Sequence, residues 1–141
     1  MKKLVGFIKA LERRDIINFK ADLFNHRLKL QKYIYLARKY GLDLGYNYNL
    51  YIRGPYSPGL ADDYYKLSRE YIDAPLNDNF VSLIKGKSER WLELASTIVM
   101  VKEKYNIDND TTIKLVKNSK SFATNEELRK IISELKLRNA I

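Results

Sequence analysis

Apolar residues recur at helical spacing along almost the whole chain, and this periodicity restricts the possible fold more than any other feature. Leu60, Tyr64, Leu67 and Tyr71 fall at i, i+4, i+7 and i+11, which predicts an amphipathic helix from Pro58 to about Glu70. The same spacing predicts further helices over 4–11, 16–24, 27–40, 91–105, 111–117 and 125–137. We therefore expect a mainly helical protein.

Two short stretches have the character of strands instead. Residues 46–52 alternate and are rich in aromatic side chains, and residues 80–84 form a second candidate after a turn cluster at 73–79. We expect one small antiparallel hairpin or sheet built from parts of 46–53 and 70–85. A helix followed by a hairpin is the order of a winged helix, so the sequence predicts a mainly α, winged-helix-like single domain over residues 1–141.

The composition indicates a globular chain, with 45% hydrophobic and 30% charged residues. The longest apolar runs, 33–37 and 98–101, fall well short of the roughly 20 residues that span a bilayer. The first residues, MKKLVGFIKALERR, are interrupted by charges and are not followed by a small-residue cleavage site. We interpret them as an amphipathic helix and expect a cytoplasmic protein without membrane contact.

Few residues here could carry catalysis or hold a metal. The chain has no cysteine and a single histidine, His26, so thiolate nucleophiles, Cys-type zinc sites and histidine clusters are excluded. Asp62 and Asp63 are adjacent and would point about 100° apart on a helix, so they do not form an acid–base pair. We expect neither enzymatic activity nor a cofactor.

The net charge of +9 is unevenly distributed and favours an acidic partner. Residues 1–40 carry eleven Lys and Arg against three Asp and Glu, whereas residues 41–80 carry three against six. Lys29, Lys32 and Lys39 share one stripe of the predicted 27–40 helix and are candidates for gripping phosphates. Recognition of DNA by the predicted 58–70 helix is disfavoured, because acidic residues outnumber basic ones there.

The segment Tyr51–Leu60, YIRGPYSPGL, resembles a glycine-rich anion loop at first sight. However, its two prolines remove two of the backbone N–H groups that such a loop needs. Gly54 suits a turn after a strand, Ser57 is a good N-cap, and Pro58 suits the first position of a helix. The pattern therefore predicts a rigid turn that starts a helix.

Tyrosine is unusually frequent near this turn: nine of the eleven tyrosines lie between Tyr33 and Tyr65. They could fill the edge of the core or form a binding face, since tyrosine is enriched at interfaces. For a partner-binding site we favour Arg53, Tyr56, Asp62 and Asp63, whose carboxylates would select a basic partner surface. The alternative is that Tyr56 packs inward against the core.

Three segments together resemble a known prokaryotic family: LKLQKYIYLA at 28–37, GLDLGY at 41–46 and YIRGPYSPGLA at 51–61. Over about residues 26–72 the chain resembles the Panacea (SocA-like) antitoxin domain, and more closely the YwgA-like proteins. The fold-defining positions that this resemblance implies are Leu30, Gln31, Lys32, Gly54, Pro55, Tyr56, Ser57 and Pro58.

The resemblance implies a mostly helical fold without catalytic residues that works by binding a protein, either a toxin or a regulated target. Two functional hypotheses are therefore open. The first is a non-catalytic, antitoxin-like or adaptor-like interaction module. The second is a winged-helix transcriptional regulator that binds nucleic acid through its basic N-terminal helices.

Overall fold

The computed structural model describes residues 1–141 and shows a mainly helical protein with one two-stranded antiparallel hairpin, as predicted. The helices are α1 (Lys2–Arg13), α2 (Phe24–Ala37), α3 (Pro58–Tyr64), α4 (Asp78–Ile84), α5 (Glu89–Tyr105), α6 (Asn109–Ser119) and α7 (Asn125–Leu137). A 3₁₀ turn, Arg38–Tyr40, extends α2, and the strands are β1 (Asn49–Tyr51) and β2 (Gly54–Tyr56). No helix has both the length and the apolar character to cross a membrane.

Helices α2 and α5 lie at the centre of a single hydrophobic core. Residues 33–37 of α2 are buried on every side, and Gly41 ends the helical segment in the left-handed conformation, at φ 81°. Helix α5 packs against α2, β2, α6 and α7. The central helix expected over 27–40 is confirmed.

The helix expected over 16–24 is absent, because the chain turns immediately after α1. Asp15 does not cap a following helix; it adopts φ 55° and ends α1. The N–H of Asp15 donates to the carbonyl of Glu12 at 3.1 Å, and the N–H of Ile16 donates to that of Leu11 at 3.0 Å. These two bonds are those of a Schellman motif, which satisfies the last carbonyls of α1 and redirects the chain.

The second predicted strand is also wrong, because residues 80–84 belong to helix α4. The side chain of Asn77 caps this helix by accepting hydrogen bonds from the N–H groups of Asn79 and Phe80, at 2.8 and 3.3 Å. A short apolar run fits either a buried strand or a short helix, and here the cap decides. The hairpin is formed by 49–56 alone and precedes α3, so the helix-then-hairpin order expected of a winged helix is wrong.

Residues 65–77 were expected to continue α3 and then turn, but α3 ends at Tyr64 and this segment lies against α1. The N–H of Ile72 donates to the carbonyl of Lys2 at 3.1 Å. A Cβ at Gly6 would lie 1.7 Å from the carbonyl oxygen of Ile72, so only glycine permits this approach. Two exposed ion pairs, Lys2–Glu70 and Arg13–Asp73, join the same elements at 3.0 and 3.8 Å, and a third joins Arg14, directly after α1, to Asp78, the first residue of α4, at 3.0 Å. Part of the basic charge of α1 is thus balanced inside the molecule.

The hairpin is attached to the core through the backbone of β2. Gly54 adopts φ +92°, and a Cβ there would lie 2.8 Å from Oγ1 of Thr97 and 3.3 Å from the carbonyl oxygen of Glu93 on α5. The registry pairs Asn49 with Tyr56 and Tyr51 with Gly54. Ile52 and Arg53 therefore form the tip of the hairpin.

Gly54→Ala should lower the free energy of unfolding more than Gly45→Ala does. Gly45 also has a positive φ, +87°, but has no atom within 4 Å of the added Cβ. Both changes cost about 1–2 kcal/mol of backbone strain, and Gly54→Ala should cost about 1–3 kcal/mol more by overpacking against α5. Urea denaturation measures both, and equal losses would show that the close approach of β2 to α5 contributes nothing.

Ser57→Ala should lower the free energy of unfolding by about 1 kcal/mol, because it removes the N-cap of α3. Ser57 Oγ accepts a hydrogen bond from the N–H of Leu60 at 3.3 Å. Ser82→Ala is a matched control, since Ser82 is exposed within α4 and caps nothing. A variant at position 57 as stable as the control would argue against the cap.

Candidate interaction site at the hairpin tip

The turn that follows the hairpin is held by Gln31 of α2. Its Nε2 donates to the carbonyl of Ser57, and its Oε1 accepts from the N–H of Ser57, both at 2.9 Å and both buried. Ser57 caps α3 and Pro58 is its first residue, as predicted. Segments 28–37 and 51–61, quoted above for the family resemblance, are therefore directly bonded to each other.

Lys32 lies next to Gln31 and is also directed inward. It is only 1% exposed, and its Nζ donates to the carbonyl of Pro55 at 2.7 Å. Lys29 is half-buried, and Lys39 forms an ion pair with Glu103 at 3.1 Å. The expectation that Lys29, Lys32 and Lys39 present one exposed basic stripe is therefore wrong, because Lys32 is buried and Lys39 is paired with a carboxylate.

A second buried lysine holds the other side of the tip. Lys120, which follows α6, donates from Nζ to the carbonyl of Ile52 at 2.7 Å and pairs with the carboxylate of Glu93 at 3.1 Å. Lys32 and Lys120 thus fix a backbone carbonyl on each side of Arg53. Buried carbonyls need such partners, and the result is a tip with little backbone freedom.

Charge around the tip is not balanced. Burial lowers the pKa of Lys32 to about 8, while the negative charge of Glu93 acts in the opposite direction and the positive charges of Lys120 and Arg53 lower it further. Two buried lysines share one buried carboxylate. The environment of the tip is therefore electropositive.

The tip itself is exposed and apolar at one position. Ile52 is 92% exposed, which is the highest value of any large hydrophobic residue in the chain. The guanidinium group of Arg53 lies over the ring of Phe24, 5.3 Å from its centroid, and takes part in no ion pair. Ile52 lines the same groove as the exposed rings of Phe24 and Tyr65, so it belongs to an exposed apolar patch beside the unpaired Arg53.

Two grooves lie on either side of the tip and share Leu28, Ile52 and Arg53. The first, the tyrosine groove, has a volume of about 490 Å³, and its other lining residues include Phe24, Arg27, Lys32, Tyr56, Tyr64 and Tyr65. The second, the Phe122 groove, has a volume of about 440 Å³ and is also lined by Arg90, Glu93 and Phe122. Phe24, Tyr65 and Phe122 are 53%, 62% and 51% exposed, so aromatic side chains surround the tip.

The structure brings together two of the four residues predicted for partner binding. Arg53 and Tyr56 both line the tyrosine groove, whereas Asp62 and Asp63 do not. Asp62 is exposed on α3, and the Oδ2 atom of Asp63 accepts a hydrogen bond from the hydroxyl of Tyr46 at 2.7 Å. Asp62 and Asp63 therefore do not flank Arg53 and Tyr56, and they do not provide the acidic surface that was expected to select a basic partner.

Tyr56 is neither fully packed into the core nor fully exposed as a binding residue. Its side chain is half-buried and packs edge-on against Tyr51, with 5.3 Å between ring centroids, while part of it lines the tyrosine groove. The wider set of tyrosines divides in the same way. Tyr33 and Tyr35 are core residues, whereas Tyr51 and Tyr65 are exposed.

Sequence reasoning missed several residues that define this site, namely Ile52, Phe24, Tyr65, Glu93 and Lys120. The alternating pattern of 46–52 predicts a strand that includes Ile52, and nothing local distinguishes an exposed tip from a buried strand end. Glu93 and Lys120 are 27 positions apart, so their pairing depends on how α5 and the end of α6 pack. Only the tyrosine frequency indicated an aromatic surface.

Comparisons of this chain with protein-family models, with curated proteins and with solved structures found no match. The resemblance to the Panacea and YwgA-like families therefore stays a prediction drawn from the quoted segments.

The pKa of Lys32 predicts how stability changes with pH. The folded chain releases this proton above about pH 8, whereas the unfolded chain keeps it up to its ordinary pKa of 10.5. The free energy of unfolding should therefore rise by about 1–2 kcal/mol between about pH 7.5 and pH 9.5. Above pH 10 the trend should reverse, because burial raises the pKa of Tyr33 and of Tyr64 to about 12, from 10.0.

Urea denaturation across this range, with Lys32→Met as the comparison, measures the effect. The variant lacks the titrating group, so its stability should rise less over the same pH interval. An equal rise in both proteins would contradict the assignment to Lys32.

Proposed function

We propose that this chain is a non-catalytic protein-interaction module that binds a partner protein through its hairpin tip, in the manner of an antitoxin or an adaptor. The observation that carries the proposal is Ile52, a large apolar side chain that is 92% exposed on a turn fixed from beneath by Lys32 and Lys120. An anchor that is already rigid loses little conformational entropy when it binds.

The charges at the tip indicate what kind of partner it fits. Arg53 has no carboxylate partner in the chain, and Lys32 and Lys120 add positive charge below it. Arginine is among the residue types that most often dominate the binding energy at interfaces. The partner should therefore offer an apolar pocket for Ile52, bordered by carboxylates that pair with Arg53.

The nucleic-acid alternative has less support. Its candidate lysines do not form one surface, since Lys32 is buried and Lys39 is paired with Glu103. Lys2 and Arg13 of the first helix, and Arg14 directly after it, pair with residues of the acidic segment 70–78. The family resemblance also favours a protein partner, either a toxin or a regulated target.

The proposal is tested by placing a photo-crosslinking residue at the tip and identifying what it captures. p-Benzoylphenylalanine at position 52 should crosslink one protein in cells, and the same residue at position 137 should not. Leu137 is 74% exposed on α7 and lines neither groove. The captured protein is then purified, and its affinity for the unmodified chain is measured by calorimetry.

Ile52→Asp should weaken this affinity by about thirtyfold or more, as expected for a hot spot worth about 2 kcal/mol. Leu137→Asp should leave the affinity unchanged, and both variants should keep their melting temperature because both side chains are exposed. Binding by Ile52→Asp that equals that of the wild type would show that the tip is not the interface. The proposal itself would be contradicted if position 52 captured no protein, or if no captured protein bound the purified chain.

A further inference from the structure

The tyrosine groove has an excess of positive charge that the protein does not neutralise. Arg27, Lys32 and Arg53 line it, and no acidic residue does. Neither arginine takes part in an ion pair anywhere in the structure. The guanidinium group of Arg27 donates one hydrogen bond to the carbonyl of Ala21, at 2.8 Å, and this bond orients it. Unpaired guanidinium groups in a concave site favour a bound anion, and phosphate matches their fork geometry.

The same groove presents aromatic rings at its rim. The guanidinium carbon of Arg27 lies 5.7 Å from the ring centroid of Phe24 and 5.8 Å from that of Tyr65. Tyr65 in turn packs edge-on against Tyr64, with 5.0 Å between ring centroids. Exposed rings of this kind stack on planar ligands, and each stacked base contributes substantially to affinity.

The volume of the groove limits the size of the ligand. At about 490 Å³ it falls in the lower part of the range for small-molecule sites. It is large enough for one planar base with its sugar and phosphate. A carboxylate side chain of a peptide would use the cations but would leave most of the aromatic rim without a partner.

We propose that the tyrosine groove binds a nucleoside monophosphate, with the phosphate against Arg27 and Arg53 and the base packed against the exposed ring of Tyr65. Lys32, buried at the base of the groove and bonded to Pro55, adds positive charge that favours the phosphate. This site is the concave surface beside the tip, and its occupancy does not depend on a protein partner. A bound nucleotide would lie next to Ile52 and Arg53, the residues proposed to contact the partner protein.

Isothermal titration of the purified chain with AMP, GMP, CMP and UMP tests this inference. At least one of the four should bind with a dissociation constant below about 1 mM at low salt. The corresponding nucleoside and inorganic phosphate should each bind at least about tenfold more weakly, because each makes only half of the contacts. Affinity should fall as salt is added, since the contact with phosphate is electrostatic.

Arg53→Gln and Tyr65→Ala should each weaken the binding by about tenfold or more. Both side chains are exposed, so the variants should keep the melting temperature of the wild type. Lys29→Gln is the matched control: Lys29 lies on α2 like Arg27 but does not line the groove, and its loss should leave affinity unchanged.

Three results would overturn the inference. They are no binding of any of the four monophosphates, unchanged affinity in Arg53→Gln and Tyr65→Ala, or tighter binding of the acidic peptide acetyl-Asp-Glu-Phe-Asp-amide than of any monophosphate. The titration needs no partner protein, so a negative result leaves the protein-interaction proposal standing.

Discussion

The position of the hairpin depends on three buried polar side chains that hold its backbone. Gln31 binds both the N–H and the carbonyl of Ser57, Lys32 binds the carbonyl of Pro55, and Lys120 binds that of Ile52. A two-stranded hairpin is marginal by itself in water, so these bonds and the close packing of Gly54 on α5 fix it. Removing one partner would leave a buried polar group unsatisfied, which is expensive.

This arrangement places positive charge in the interior at a cost that the fold must offset. Lys32 and Lys120 share the single carboxylate of Glu93, and the lowered pKa of Lys32 reflects that burial. Replacing a buried ionic cluster with apolar residues is often neutral or stabilising. The cluster is therefore better explained by what it positions, an exposed tip with an aromatic and cationic groove beside it, than by stability.

Ion pairs within the fold change how the charge distribution along the sequence is interpreted. The basic N-terminal region and the acidic middle region appear in the sequence as a contrast that favours an external acidic partner. In the fold, part of that contrast is balanced within the molecule, since Lys2 and Arg13 of α1 and the following Arg14 pair with residues of the 70–78 segment. Arg27 and Arg53 line the tyrosine groove and take part in no ion pair, and these, rather than the net charge, identify the candidate site.

The sequence by itself determined the helical class, the central helix over 27–40 and the start of α3, because apolar spacing, capping residues and proline act within a few residues of one another. It did not determine that 80–84 is a helix, since a short apolar run satisfies two geometries until a cap and its packing choose between them. It also missed Lys32 and Lys120 as supports of the tip. Their partners, Pro55 and Ile52, are 23 and 68 positions away, and only tertiary packing brings a charged side chain to a distant carbonyl and excludes water around both.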